Sequence, residues 1–155
     1  MNERFMELCI ELALDGMEKK GHGPFGAAIV KGNELVAVGT NQVTSTWDPT
    51  AHAEISAIRD ACSRLKTFSL EGLEIYTTCE PCPMCLGAIF WARLSAIYFG
   101  ATRLDAASAN FDDRYFYEEI EKPPQKRHIP MKEIMRESCI QIFDAWKASG
   151  NKISY

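Results

Sequence analysis

Two short stretches carry side chains that can do chemistry together: Thr50-Ala51-His52-Ala53-Glu54, and Thr78-Cys79-Glu80-Pro81-Cys82-Pro83-Met84-Cys85. The cysteines at 79, 82 and 85 fall three apart, and that spacing raises three options. An iron–sulfur cluster takes four thiolates, in the bacterial pattern with a fourth cysteine followed by proline. Cys9, Cys62 and Cys139 have no such context; they stand at apolar positions of expected helices, where a small thiol is commonly buried. A structural zinc knuckle closes on four ligands. Cys79 would be one of them, although it stands at a strand end, ahead of the helix that carries the other two. The third option joins His52 to Cys82 and Cys85. One imidazole and two sulfurs leave a tetrahedral ion one open position, as a catalytic zinc requires.

The third option accounts for more of the residues. Cys82 and Cys85, at i and i+3, project from one face at the start of a helix. That terminus offers N–H groups and a positive dipole end, which favour thiolate over thiol. Zinc held there lowers the pKa of a bound water toward about 7. A carboxylate beside that water, Glu54, can take its proton and return it to a leaving group. In a regular helix positions 52 and 54 point apart, so both face one site only if His52 stands at the irregular start of its helix. Pro49 and Thr50 are suitable boundary residues. The ligand types favour zinc, though iron or cobalt can occupy the same set. The opposing reading is a closed zinc ribbon with Glu54 an ordinary surface acid.

The elements that must position these groups follow from periodicity. Residues 3–19 carry a polar stripe (Arg4, Glu7, Glu11, Asp15, Glu18) opposite Phe5, Leu8, Cys9, Leu12 and Met17, which predicts a helix. Gly21, Gly23 and Pro24 stop it. Two β-prone runs around Lys31-Gly32-Asn33-Glu34 predict a hairpin, and residues 41–50 a polar loop. A helix over 51–66, with Ile55, Ile58, Cys62 and Leu65 on one face, leads to a strand at 73–78. Residues 82–93 predict an almost wholly apolar helix, covered on most sides. A strand at 95–100 and an irregular stretch at 105–120 follow. Residues around Ile129-Pro130-Met131 are expected to add a last strand, and Met135, Cys139, Ile142 and Trp146 mark a closing helix. The alternation predicts an α/β fold, a three-layer α/β/α sandwich with a mixed central sheet and right-handed parallel crossovers.

The bulk of the chain sets outer limits. Its 155 residues, 46% apolar, suit one domain with a real core. No apolar run reaches the roughly 18 residues of a membrane span. The first residues lack the layout of a signal peptide, so a cytoplasmic location is expected, and there six cysteines point to metal or catalysis rather than disulfides. The net charge of −4 and a densest basic strip at residues 122–132, interleaved with prolines, argue for a small-molecule partner over nucleic acid.

His52-Ala53-Glu54 followed by Pro81-Cys82-Pro83-Met84-Cys85 matches the H-x-E…P-C-x-x-C signature of the zinc-dependent cytidine/deoxycytidylate-type deaminases. The resemblance implies a cytidine-deaminase-like fold, one Zn2+ per subunit, hydrolytic loss of ammonia from an amino-substituted ring, and no ligand role for Cys79. Within that superfamily the chain resembles the bacterial guanine deaminases nearly end to end. The likeness includes GPFGA (23–27), TNQVT (40–44), DPTAHAE (48–54), FDD (111–113), the EKP segment (121–123) and a C-terminal tyrosine.

That branch implies hydrolysis of guanine to xanthine and a pocket lined by Phe25, Asn41, Asp113 and Tyr155. Asp113 would accept from ring N–H groups, Asn41 would bond a ring nitrogen or the carbonyl, and Phe25 would pack on a ring face. Buried polar partners of this kind discriminate steeply between bases. Other readings stand beside these. Phe25 can be ordinary core, Asp112 and Asp113 can cap a following helix, and Tyr155 can be a frayed end. His22 and His128 read as loop residues without a role. The branch further implies a homodimer that exchanges the segment from about residue 121 onward, hinged at Glu121-Lys122-Pro123-Pro124. The alternatives are a deaminase of guanosine, cytosine or adenosine in tRNA, and, from another class, a non-catalytic zinc scaffold.

Overall fold

Asn2 starts the first helix. Its side-chain oxygen accepts from the Arg4 N–H at 3.2 Å, and α1 (Glu3–Lys20) runs to Gly21, which turns the chain out with φ 61°. This is a computed structural model, and it describes residues 1–154. Strands β1 (Gly26–Lys31) and β2 (Glu34–Thr40) form the expected hairpin. Gly32, at φ 59°, supplies the positive dihedral that the two-residue turn needs. Then come a single turn α2 (Val43–Thr46), α3 (Ala53–Leu65), β3 (Glu74–Cys79), α4 (Pro83–Trp91), β4 (Ala96–Ala101) and α5 (Arg103–Ser108).

The sheet order is β2-β1-β3-β4. β1 is antiparallel to both neighbours, and β3 and β4 are parallel. The sheet is therefore mixed, and β2 and β3 run the same way. The C-terminal ends of β2 and β3 and the N-terminal end of β1 consequently share one edge.

Side chains alternate across the strands and define the two faces. Ala28, Val30 and Tyr76 pack with Phe5 and Cys9 of α1. Ala27, Ile29, Ala37 and Ile75 pack on the other face with Ala53, Ala57 and Ala61 of α3 and Ile89 of α4. The result is the three-layer arrangement that the alternation predicted.

The helices lie close to the sheet. A Cβ on Gly39 would come within 2.1 Å of the Ala53 carbonyl oxygen, and one on Gly26 within 2.2 Å of the Cys9 carbonyl oxygen. Only glycine fits at either position. Helix α3 sets Ala53, Ala57 and Ala61 against the sheet, with Ile55 buried and Ile58 and Cys62 packed on the same core, while Leu65, expected on that face, is exposed. Helix α4 also departs from expectation: Phe90 and Trp91 are 69% and 67% exposed in this chain. No helix among the described residues is long and apolar enough to cross a membrane.

The chain divides into two compact units, Met1–Asp113 and the remainder from Arg114. The second holds α6 (Arg114–Glu121), a 3-10 turn (Pro124–Lys126) and α7 (Arg136–Ala148). The Arg127 guanidinium organises it, donating to the carbonyls of Glu119, Ile120 and Lys122. The stretch at 105–120, read as irregular, is mostly helical. The strand expected around Ile129-Pro130-Met131 does not form; the described sheet has four strands.

Candidate active site

The edge shared by β1, β2 and β3 is also where α3 and α4 begin. His52 is the N-cap of α3, with φ −67° and ψ 160°, outside the helix proper. That break lets it face the same side as Glu54, which a continuous helix would forbid. Cys82 is the N-cap of α4, with Pro83 in the first turn where a missing N–H costs nothing. Cys85 follows one turn later and is fully buried.

The three candidate ligands converge. His52 Nδ1 lies 3.6 Å from Cys82 Sγ and 3.4 Å from Cys85 Sγ, and all three ligand atoms fall within 4.8 Å of one another. A tetrahedral zinc with bonds of about 2.3 Å to sulfur and about 2.0 Å to nitrogen has sulfur–nitrogen edges of about 3.5 Å. The observed separations fit that ion, and among the described residues no other group of this kind occurs.

The charges fit as well. The Cys85 S–H beside it holds Cys82 down at about 4, helped by His52. The same contact, with burial, pushes Cys85 up. The hydrogen bond to Cys82 pushes His52 up. Without an ion this cluster must hold protons that a cation would displace. Cys79 stands apart: its thiol faces the Thr102 carbonyl at 3.7 Å, and burial pushes it up to about 11, so it stays a neutral thiol.

Glu54 is 6% exposed. Burial above all raises its pKa, and the negative Cys82 adds to this. A carboxyl so placed takes and gives up a proton more readily near neutral pH than an exposed one.

Phe25, Asn41 and Asp113 approach the same edge. Phe25 is half-buried, and its ring meets that of Phe111 edge-on at 5.0 Å. The Asn41 backbone N–H donates to the Phe25 carbonyl at 3.1 Å. Asn41 is itself buried, and its Oδ1 accepts from the Val43 N–H at 3.3 Å, which leaves its NH2 to donate. Gly23 is packed against this pair: a Cβ there would stand 3.2 Å from Asn41 Cγ and 3.3 Å from Phe25 Cδ2. Asp113 is half-buried, and burial, with the nearby charge of Cys82, raises its pKa. Tyr155 lies outside the described residues.

His22 lies in a loop, as read, but is buried there, with no hydrogen-bond partner for Nδ1. His128, in the second unit, donates its N–H to Glu119. The Glu80 carboxylate accepts from the Arg103 N–H at 3.0 Å and fixes the turn into α5. Asp48 and Gln42 brace the loop before His52. An aspartate two residues before a threonine was a readable signal for that brace.

Residues 1–101 match the family model of the cytidine and deoxycytidylate deaminase zinc-binding region. The chain is 46% identical over 154 residues to guanine deaminase of Bacillus subtilis, covering 99% of each chain. A crystal structure of guanine deaminase from B. subtilis superposes with a TM-score of 0.96 at 47% identity, covering 100% of this chain and 99% of that one. The tRNA-specific adenosine deaminase of Aquifex aeolicus is 44% identical over 99 residues, covering 64% of this chain and 65% of its own.

Proposed function

The chain belongs to the cytidine and deoxycytidylate deaminase family, and on that premise we propose that it hydrolyses guanine to xanthine and ammonia. The observation that carries the choice of ring is the degree of end-to-end likeness to a guanine deaminase, 46% identical over 154 residues, against 34% over 150 residues for a tRNA-specific adenosine deaminase of similar reach. His52, Cys82 and Cys85 would hold a zinc ion, which when bound supplies a water acidified enough to attack at neutral pH.

The protein's own groups do the rest. Phe25 packs on a face of the purine. The Asn41 NH2 donates to a ring nitrogen or the carbonyl, since its oxygen is committed to Val43. Asp113 accepts from ring N–H groups. Glu54 takes one proton from the attacking water and gives it to a ring nitrogen beside carbon 2, then takes the remaining proton from the new hydroxyl on carbon 2 and gives it to the exocyclic amino group. The bond from carbon 2 to the amino nitrogen breaks, the carbonyl forms and ammonia leaves. One water is consumed for each guanine.

Ammonia release on guanine, guanosine, adenine, cytosine and an adenosine-bearing tRNA stem-loop tests the ring. Guanine is expected to exceed each of the others in kcat/KM by at least about a hundredfold, because a wrong base leaves buried polar groups unpaired. Equal turnover of another ring would overturn the choice of guanine and leave the deaminase class standing.

We read the working form as a cytoplasmic homodimer with the C-terminal segment exchanged and Tyr155 closing the partner's pocket. The separable second unit and the exposed Phe90 and Trp91 of α4, with Ile142, Phe143 and Trp146 of α7, support this. Light scattering at micromolar concentration should give twice the 17.4 kDa of one chain. Co-expressing Glu54→Gln with a copy lacking Tyr155 should restore turnover, because the first copy's tail then serves the second copy's intact carboxylate. A mass of one chain, or inactive mixed dimers, would refute this arrangement.

A further inference from the structure

We propose that Asp48 is a positioning residue, clasping the loop that presents Asn41 at one end and His52 at the other. Its Oδ1 accepts from the Thr50 N–H at 2.8 Å and from the Thr50 hydroxyl at 2.7 Å. Its Oδ2 faces Arg59 of α3 at 3.4 Å. Its backbone carbonyl accepts from the Ala51 N–H at 3.1 Å. The Ala51 carbonyl in turn accepts from the Gln42 N–H at 2.8 Å, and the Asn41 N–H reaches the Phe25 carbonyl at 3.1 Å.

One backbone path therefore runs from Phe25 through Asn41 and Gln42 to Ala51 and His52. Asp48 closes the loop between its two halves. The His52 N–H bonds the Thr50 carbonyl at 2.8 Å, so the turn that Asp48 holds also sets the direction in which the imidazole leaves the backbone. Without the clasp, the ligand and the base-binding amide lose their common register. The inference rests on the proposed function only for its substrate arm.

Asp48→Ala is expected to weaken zinc retention about 10–100-fold in competition with a chromogenic chelator, and to raise KM for guanine by about tenfold. The kcat of the zinc-loaded variant should stay within about threefold of the parent. Asp48→Asn keeps an acceptor at Oδ1 and should restore both quantities to within about threefold. A merely structural role would lower Tm without moving either one. Zinc retention and KM both unchanged in the alanine variant would overturn the inference, as would an asparagine variant as impaired as alanine. Should Asp48→Ala fail to fold, Thr50→Val removes one of the two Thr50 bonds; unchanged zinc retention and KM there would be equally fatal. A parent inactive on guanine would refute the proposed function, while the chelator competition would still read Asp48.

Discussion

Glu54→Gln is expected to lower kcat by on the order of 10^4-fold, about 5 kcal/mol of barrier, while zinc remains bound. The side chain is buried at the second position of α3, directly after the residue that follows His52. Glutamine matches its size and keeps a polar end there, so the fold and the ligand set should survive. What it cannot do is carry a proton. The reaction needs both protons of the water removed, one placed on the ring and one delivered to the amino group, and among the described residues no other carboxyl joins His52, Cys82 and Cys85 as Glu54 does. The Asp113 carboxyl, close enough to feel the charge of Cys82, is the rival, but it is the group left to accept from the ring N–H. The check is kcat at saturating guanine, with metal content measured on the same sample. Wild-type kcat would show that another group moves the protons. Loss of the metal together with activity would show that Glu54 acts as a ligand.

The chemistry was more legible in the sequence than the packing that supports it. The argument that His52 must precede its helix used only the opposition of positions 52 and 54, and the structure puts His52 at the N-cap. The hairpin was legible because Gly32-Asn33 has little use other than a turn. Helix α3 was read in part: Ile55 is buried and Ile58 and Cys62 pack on the core, but periodicity weights large apolar residues and passed over Ala53, Ala57 and Ala61, which lie against the sheet where the helix approaches Gly39. Helix α4 shows the converse error. An apolar composition does not by itself say which side chains pack, and Phe90 and Trp91 are exposed.

The late segment failed for a different reason. Helix α5 is only six residues long, too short for a period to register. A reciprocal cap between Thr102 and Asp105 starts it, a local signal that the apolar pattern does not contain. The strand expected near Ile129 rested on β-prone residue types alone. Pro130 lacks an N–H for a ladder, and Arg127 instead ties that stretch back to the carbonyls at the end of α6. The brace at Asp48 was missed although its signal, an aspartate two residues before a threonine, is local and readable; apolar period does not report it.

Removing the metal, or one of its ligands, should have the next largest effect. Dialysis against a strong chelator is expected to reduce turnover below about 0.1% of the parent, since the remaining side chains cannot acidify water. It should also cost stability. A ligand present at a thousandfold over its Kd contributes about 4 kcal/mol, or about 10 °C in Tm for a chain of this size. Readdition of zinc should restore both. Cys85→Ala should act alike without a chelator: it removes a fully buried ligand, and with it the S–H that chiefly holds the Cys82 thiol down, leaving one sulfur and one imidazole for the ion. The dependence on pH has a definite sign. Cys85 is held protonated in the free cluster and must lose its proton to bind, so affinity rises with pH and metal is lost on acidification, by up to about tenfold per unit for each proton exchanged. Chelator midpoints measured at several pH values read that slope directly. Full turnover in a chain free of metal, or a Cys85→Ala variant that keeps its ion with undiminished affinity, would remove the ligand set on which the deaminase reading stands.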